Sequence, residues 1–141
     1  MTDRVPWDPV DGTARNERSA SPDLLRAARR AARRAYAPYS RFPVGAALLD
    51  EGGATFLGAN IENASYPLGI CAERLALQIW RQEGGGRIRQ VVIHTGAARP
   101  APPCGLCREA LRRWAPDAEV FLSSRQEVAG PYTAASWLPD A

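Results

Sequence analysis

From the amino end, the first twenty residues of this 141-residue chain show no sustained alternation of apolar and polar positions; Pro6, Pro9 and Gly12 are scattered among Asp, Arg and Ser. Such a stretch is expected to be a flexible arm or a strap along a neighbour rather than a packed element. Residues 21–141 are expected to form the folded domain. Periodicity begins there. Ser21 can accept free amide hydrogens as an N-cap, Pro22 suits the first helical position, and Asp23 complements the positive end of the helix dipole. Leu24, Ala28, Ala31, Ala32 and Ala35 make a stripe of mostly small apolar residues opposite a run of arginines, which predicts a helix that Pro38 ends.

The period then changes. Pro43 to Leu49 reads as a buried strand, Asp50-Glu51-Gly52-Gly53 as a hairpin turn, and Ala54 to Asn60 as the antiparallel partner. After a loop through Asn63 to Gly69, apolar residues 72, 75, 76, 79 and 80 recur at the spacing of one buried helical face, and Gly84-Gly85-Gly86 stops that helix. Ile88 to Thr95, with Val91-Val92-Ile93 at its centre, predicts a central strand. A Pro-rich loop follows, then a short helix carrying Leu106, Ala110, Leu111 and Trp114, then a strand over Glu119 to Leu122. Helix, hairpin, helix, strand, helix and strand in that order predict an α/β domain with a mixed sheet and helices layered on it.

Composition changes this picture little. A hydrophobic fraction of 45% and a charged fraction of 23% are ordinary for a soluble globular chain of a length that buries one core. Neither a signal peptide nor a membrane helix is visible, so an intracellular, cytoplasmic protein is expected. The net charge is +3 and every basic residue is Arg. Arg26, Arg29, Arg30, Arg33 and Arg34 crowd the first helix and invite a nucleic-acid reading. No aromatics interleave with the run and acidic residues are spread along the rest of the chain, so a solvated helix face is the better account.

The chemistry lies in the cysteines. Three is an odd number, so a closed set of disulfides cannot use them all, and their placement reads as metal ligation. Cys71-Ala72-Glu73 starts the second helix and Pro103-Cys104-Gly105-Leu106-Cys107 the third, so three thiols occupy helix N-termini, where the dipole favours thiolate. A structural zinc normally takes four protein ligands, whereas a catalytic zinc takes three and keeps a position for water. The fourth donor in supply, His94, falls inside a strand away from both helix starts and reads as a buried or sheet-end histidine. One catalytic Zn²⁺ per chain on Cys71, Cys104 and Cys107 is therefore expected. Glu73, in the first helical turn, can lie beside the metal without ligating it and move protons. Three thiolates are electron-rich, and Arg74 and Arg108 are placed to donate hydrogen bonds to the sulfurs.

Taken in series, Tyr36-Ala37-Pro38-Tyr39-Ser40, Phe42 to Leu48, Asn60-Ile61-Glu62-Asn63-Ala64-Ser65-Tyr66-Pro67, Cys71-Ala72-Glu73-Arg74 and Pro103-Cys104-Gly105-Leu106-Cys107-Arg108 resemble the cytidine deaminases of the small homotetrameric, three-cysteine type. The resemblance implies a three-layer fold with a mixed five-stranded sheet. It also implies hydrolytic attack at C4 of a cytosine nucleoside with loss of ammonia, as in pyrimidine salvage. By position, Glu73 would shuttle protons and the Ala72 amide would meet the base carbonyl. Asn60 and Glu62 would hold the ribose 3′-hydroxyl, Phe42 would pack on the ring, and Tyr66 would reach a neighbouring subunit's site. Two departures stand out. The chain stops at Leu138-Pro139-Asp140-Ala141 without the family's terminal aromatic lid, leaving Trp137 as the residue at hand to substitute, and Glu109 replaces the usual Gln. They keep open a modified cytosine nucleoside of the blasticidin S kind as substrate. A non-enzymatic zinc module binding nucleic acid is disfavoured by the absence of a fourth ligand.

Overall fold

The structure, a computed structural model, describes residues 20–136. The expected N-terminal arm, apart from Ala20, and Trp137 lie outside the described residues. The elements run α1 (Pro22–Ala32), β1 (Val44–Asp50), β2 (Thr55–Ala59), α2 (Ala72–Gln82), β3 (Ile88–Thr95), α3 (Gly105–Trp114), β4 (Glu119–Ser123) and β5 (Val128–Tyr132), with single 3₁₀ turns at Tyr66–Leu68 and Ala134–Ser136. The strands form one sheet in the order β2-β1-β3-β4-β5. Only the β3–β4 pair is parallel, as its crossover through α3 requires; the other pairs are antiparallel. This is the mixed five-stranded α/β fold expected.

Alternation along the strands sorts side chains onto two faces. On one, Ala47, Val92 and Phe121 pack against Leu24, Ala27 and Ala28 of α1. On the other, Ala46, Leu48, Val91, Ile93, Val120 and Leu122 pack under Ala76, Leu77 and Trp80 of α2 and Leu111 of α3. The result is α1, sheet, then α2 with α3. Two glycines set how closely the layers approach. A Cβ on Gly45 would stand 2.1 Å from the Ala28 carbonyl oxygen of α1, and one on Gly58 would stand 2.2 Å from the Ala72 oxygen of α2. Each helix backbone therefore lies almost on the sheet, and α2 is pressed down at the turn that carries the site.

Several elements differ from the sequence expectation. Helix α1 is capped as expected, with Ser21 accepting from the Leu24 amide, but it stops at Ala32, well short of Pro38. Its last turn tightens, with Arg34 N donating to Ala31 O and Ala35 N to Ala32 O, and Tyr36 N is then captured by Asn60 O at 2.9 Å. Helix α2 buries Ala72, Glu73, Ala76, Leu77 and Trp80, while Leu75 and Ile79 are only half-buried. The buried face is thus turned from the expected one and carries a carboxylate inward. On α3, Leu111 goes into the core while Leu106 and Trp114 are exposed. Strand β5 has no apolar alternation in Val-Ala-Gly-Pro-Tyr, and its Pro131 is tolerated because the strand is an edge.

The hairpin turn is pinned by a side chain. Asp50 accepts from the amides of Gly52 at 3.0 Å, Ala54 at 2.8 Å and, from the loop after α2, Gly86 at 3.0 Å. These backbone bonds, that of Gly86 foremost, hold its carboxyl below the usual range. No helix among the described residues is long and apolar enough to cross a membrane.

Candidate metal centre

Cys71 and Cys104 are the residues that immediately precede α2 and α3, and neither uses its side chain to cap its helix. Both helices start at the same end of the sheet, so their sulfurs converge. Cys71 Sγ lies 3.7 Å from Cys104 Sγ, and Cys104 Sγ 3.3 Å from Cys107 Sγ, with all three within 4.8 Å of one another. Tetrahedral zinc with metal–sulfur bonds near 2.3 Å needs sulfurs roughly 3.8 Å apart, so the donor set fits that ion with small adjustments. Among the described residues this is the group of side chains that could hold a metal.

The exposure of the thiols is graded: Cys107 is buried, Cys71 half-buried and Cys104 exposed. Contact with Cys107 holds the Cys71 pKa down to about 5, with the Arg74 guanidinium 4.0 Å away adding to the effect. Cys107 itself is pushed up by that contact, by burial and by Glu73. Metal binding at such a cluster must release the Cys107 proton.

Glu73 sits one helical position inside Ala72 on the buried side of α2, only 5% exposed. Its Oε2 accepts from Cys107 Sγ at 3.4 Å. Burial, reinforced by charge on Cys71, raises its pKa above the ordinary carboxylate value. A carboxyl so placed can hold a proton and hand it on. Arg74 has a second feature of note: its Nε is buried without a hydrogen-bond partner. Arg108 is differently engaged, its Nε donating to the Pro103 carbonyl at 2.8 Å, which braces the loop that delivers Cys104.

Phe42, Asn60, Glu62 and Tyr66 lie on the loops after α1 and β2. Asn60 donates through Nδ2 to Phe42 O at 3.0 Å and accepts through Oδ1 from Val44 N at 2.8 Å. It latches the entry of β1. Glu62 accepts from the Tyr39 and Ser40 amides at 3.0 and 3.1 Å and from the Ser40 hydroxyl. Those bonds, led by the Ser40 hydroxyl, lower its pKa. Ser40 carries no signal of its own in the sequence, because the partner its hydroxyl finds, Glu62, lies 22 residues away. Phe42 and Tyr66 are exposed, Tyr66 by 85%. Ala72 is fully buried at the first position of α2. Its amide belongs to the first turn, whose donors have no partner within the helix.

His94 is apart from all of this. It pairs with Gly45, whose missing side chain faces α1, and its Nδ1 lies 2.9 Å from Ser123 Oγ on the same face. The sheet therefore stands between His94 and the thiols. Glu109, on the exposed side of α3, pairs with Arg112.

Comparison with known proteins agrees with this geometry. The family model for the cytidine and deoxycytidylate deaminase zinc-binding region matches residues 18–123. The chain is similar to the cytidine deaminase of Halalkalibacterium halodurans, at 44% identity over 119 residues, covering 84% of this chain and 90% of that protein. It is similar to the cytidine deaminase of Sporosarcina psychrophila at 35% identity, covering 84% and 88% respectively. The crystal structure of cytidine deaminase from Burkholderia pseudomallei superposes with a TM-score of 0.79 at 39% identity, covering 87% of this chain and 99% of that one.

Proposed function

This chain belongs to the cytidine and deoxycytidylate deaminase family, and we propose that it hydrolyses cytidine and 2′-deoxycytidine to uridine and 2′-deoxyuridine, consuming one water and releasing one ammonia. The observation that carries this reading is a buried carboxylate, Glu73, 3.4 Å from a thiol of a three-cysteine cluster. One zinc ion per chain, held by Cys71, Cys104 and Cys107, would supply Lewis-acid activation of water at this place. The residues of the chain do the rest. Glu73 takes one proton from the attacking water and passes it to N3 of the base, then takes the second from the hydroxyl left on C4 and passes it to the departing amine. Its raised pKa suits both halves of that task. The Ala72 amide donates to the base carbonyl. Arg74, beside Cys71, offsets the negative charge of the thiolates, and Arg108 steadies the Cys104 loop through Pro103.

Sugar recognition falls to Asn60 and Glu62, each held in place by its own loop bonds and each keeping a lone pair or proton for a ribose hydroxyl. Phe42 packs on the base ring. Tyr66, with Tyr36, Tyr39 and Leu68, leaves a large apolar surface uncovered beside the site. An exposed patch of that kind fits burial against another subunit. Our reading is a homotetramer in which Tyr66 reaches the neighbour's nucleoside, working in the cytoplasm with residues 21–141 as the catalytic unit.

The test is the loss of cytosine absorbance with zinc-loaded protein on cytidine, deoxycytidine, cytosine, CMP and blasticidin S. Turnover of the two nucleosides that vanishes in Glu73→Ala is expected. Turnover of blasticidin S alone would move the substrate to a modified nucleoside, and none on any compound would overturn the reading.

A further inference from the structure

We propose that a cleft between α1 and α2, along the outer edge of β2, binds a phosphate monoester that carries a flat apolar body. The cleft has a volume of about 480 Å³ and is lined by Arg30 of α1, Arg34 of the turn after it, Leu57 and Ala59 of β2, Ile61 and Leu75. That volume is in the range of small-molecule sites, roughly 300–1,000 Å³. No thiol or carboxylate lines it, so it is distinct from the metal centre.

Its two halves differ in chemistry. Arg30 lies on α1 and Arg34 in the turn just beyond its end, and both line the cleft. Neither is paired with a carboxylate among the described residues, although Arg26 on the same helix is paired with Asp23. Two guanidiniums lining one cleft offer a site for a doubly charged oxyanion, which can take a forked bond from each. The backbone adds to this. β2 is the terminal strand of the sheet. Asn60 N donates to Val44 O, so by alternation Gly58 and Phe56 turn their backbone groups toward β1. Leu57 and Ala59 then present theirs at the free edge, inside the cleft. Opposite the arginines, Leu57, Ile61 and Leu75 make an apolar wall; Leu75 is half-buried and Ile61 exposed. A bare inorganic anion would leave that wall wet, and a purely apolar guest would leave the arginines unanswered. A phosphate on a flat body satisfies both.

The experiment titrates full-length, zinc-loaded protein with phenyl phosphate, inorganic phosphate and phenol. Backbone amide shifts and calorimetry are the readouts. Phenyl phosphate is expected to bind and move the Leu57 and Ala59 amides, with inorganic phosphate and phenol each at least about tenfold weaker. The double variant Arg30→Gln/Arg34→Gln should lose binding by more than about tenfold while melting like the parent. Arg29→Gln/Arg33→Gln, which removes the same charge outside the cleft, should bind as the parent does. The Glu73→Gln protein should also bind unchanged, which separates this site from the deaminase reading. Equal binding by phenol, equal loss in both double variants, or tighter binding of a single-stranded oligonucleotide than of phenyl phosphate would each overturn the proposal.

Discussion

At the scale of single residues, two buried titratable groups lie on opposite faces of the sheet and do different things. Glu73 faces the thiols. Glu73→Gln keeps the size and hydrogen-bonding reach of the side chain but removes its proton capacity, so kcat is expected to fall by about 10²–10⁴ while zinc content stays near that of the parent. Steady-state kinetics with metal analysis checks this. His94 faces α1, where burial, and then the charge of Arg29, hold its pKa below the ordinary imidazole value. The unfolded chain therefore takes up the proton first. The stability His94 contributes is intact above about pH 6.5 and declines as pH falls through that value. Denaturation midpoints between pH 5 and 7 should be less steep in His94→Gln than in the parent. Glu62 supplies a third expectation. Its three bonds position the Tyr39–Ser40 loop, so Glu62→Ala should raise KM for cytidine about tenfold or more with little change in melting temperature.

Among the elements, closeness of approach decides the site. Helix α2 meets β2 at Gly58 and α1 meets β1 at Gly45, each with no room for a methyl group. The obstruction is backbone, which cannot rotate away. Gly45→Ala and Gly58→Ala should each cost about 1–3 kcal/mol or more in chemical denaturation. Their effects on function should differ. Gly58 sits under Ala72, between Cys71 and Glu73, so its substitution should weaken zinc binding as well, whereas Gly45→Ala should lower stability with zinc affinity retained. A zinc-competition titration distinguishes them.

For the whole molecule, the thiol cluster ties α2 to α3 at one end of the sheet. A ligand that binds only the folded chain stabilises it by mass action, by about 4 kcal/mol when present at a thousand times its dissociation constant. Chelation should lower the melting temperature, and one equivalent of zinc should restore it together with turnover. The exposed surface around Tyr66 adds an expectation about assembly. Tyr66→Ala should reduce activity in the assembled protein, and sedimentation should report four chains for the parent.

The order of elements, the capped start of α1, the hairpin turn and the three thiols with their neighbouring carboxylate were legible in the sequence, because each depends on residues close together in the chain. Ser21-Pro22-Asp23, Asp50 to Gly53 and Cys104-x-x-Cys107 declare themselves through local backbone chemistry. Tertiary contacts decided the rest. Helix α1 stops early because Tyr36 is taken into a bridge with the strand region around Ile61. The buried face of α2 is turned so that Leu77 and Glu73 go inward and Leu75 is left at the margin, since the contact with Gly58, not periodicity alone, sets the rotation of that helix. Strand β5 exists because β4 offers it an edge, despite a weak pattern of its own. The side of the sheet that His94 occupies, and the bonds that already engage Asn60, Glu62 and Arg108, depend on partners distant in sequence. The sequence by itself determined which atoms could do the chemistry; only the packing of two helices on one sheet decided that three sulfurs and a carboxylate meet, because convergence is a property of where the helix starts lie and not of any one of them.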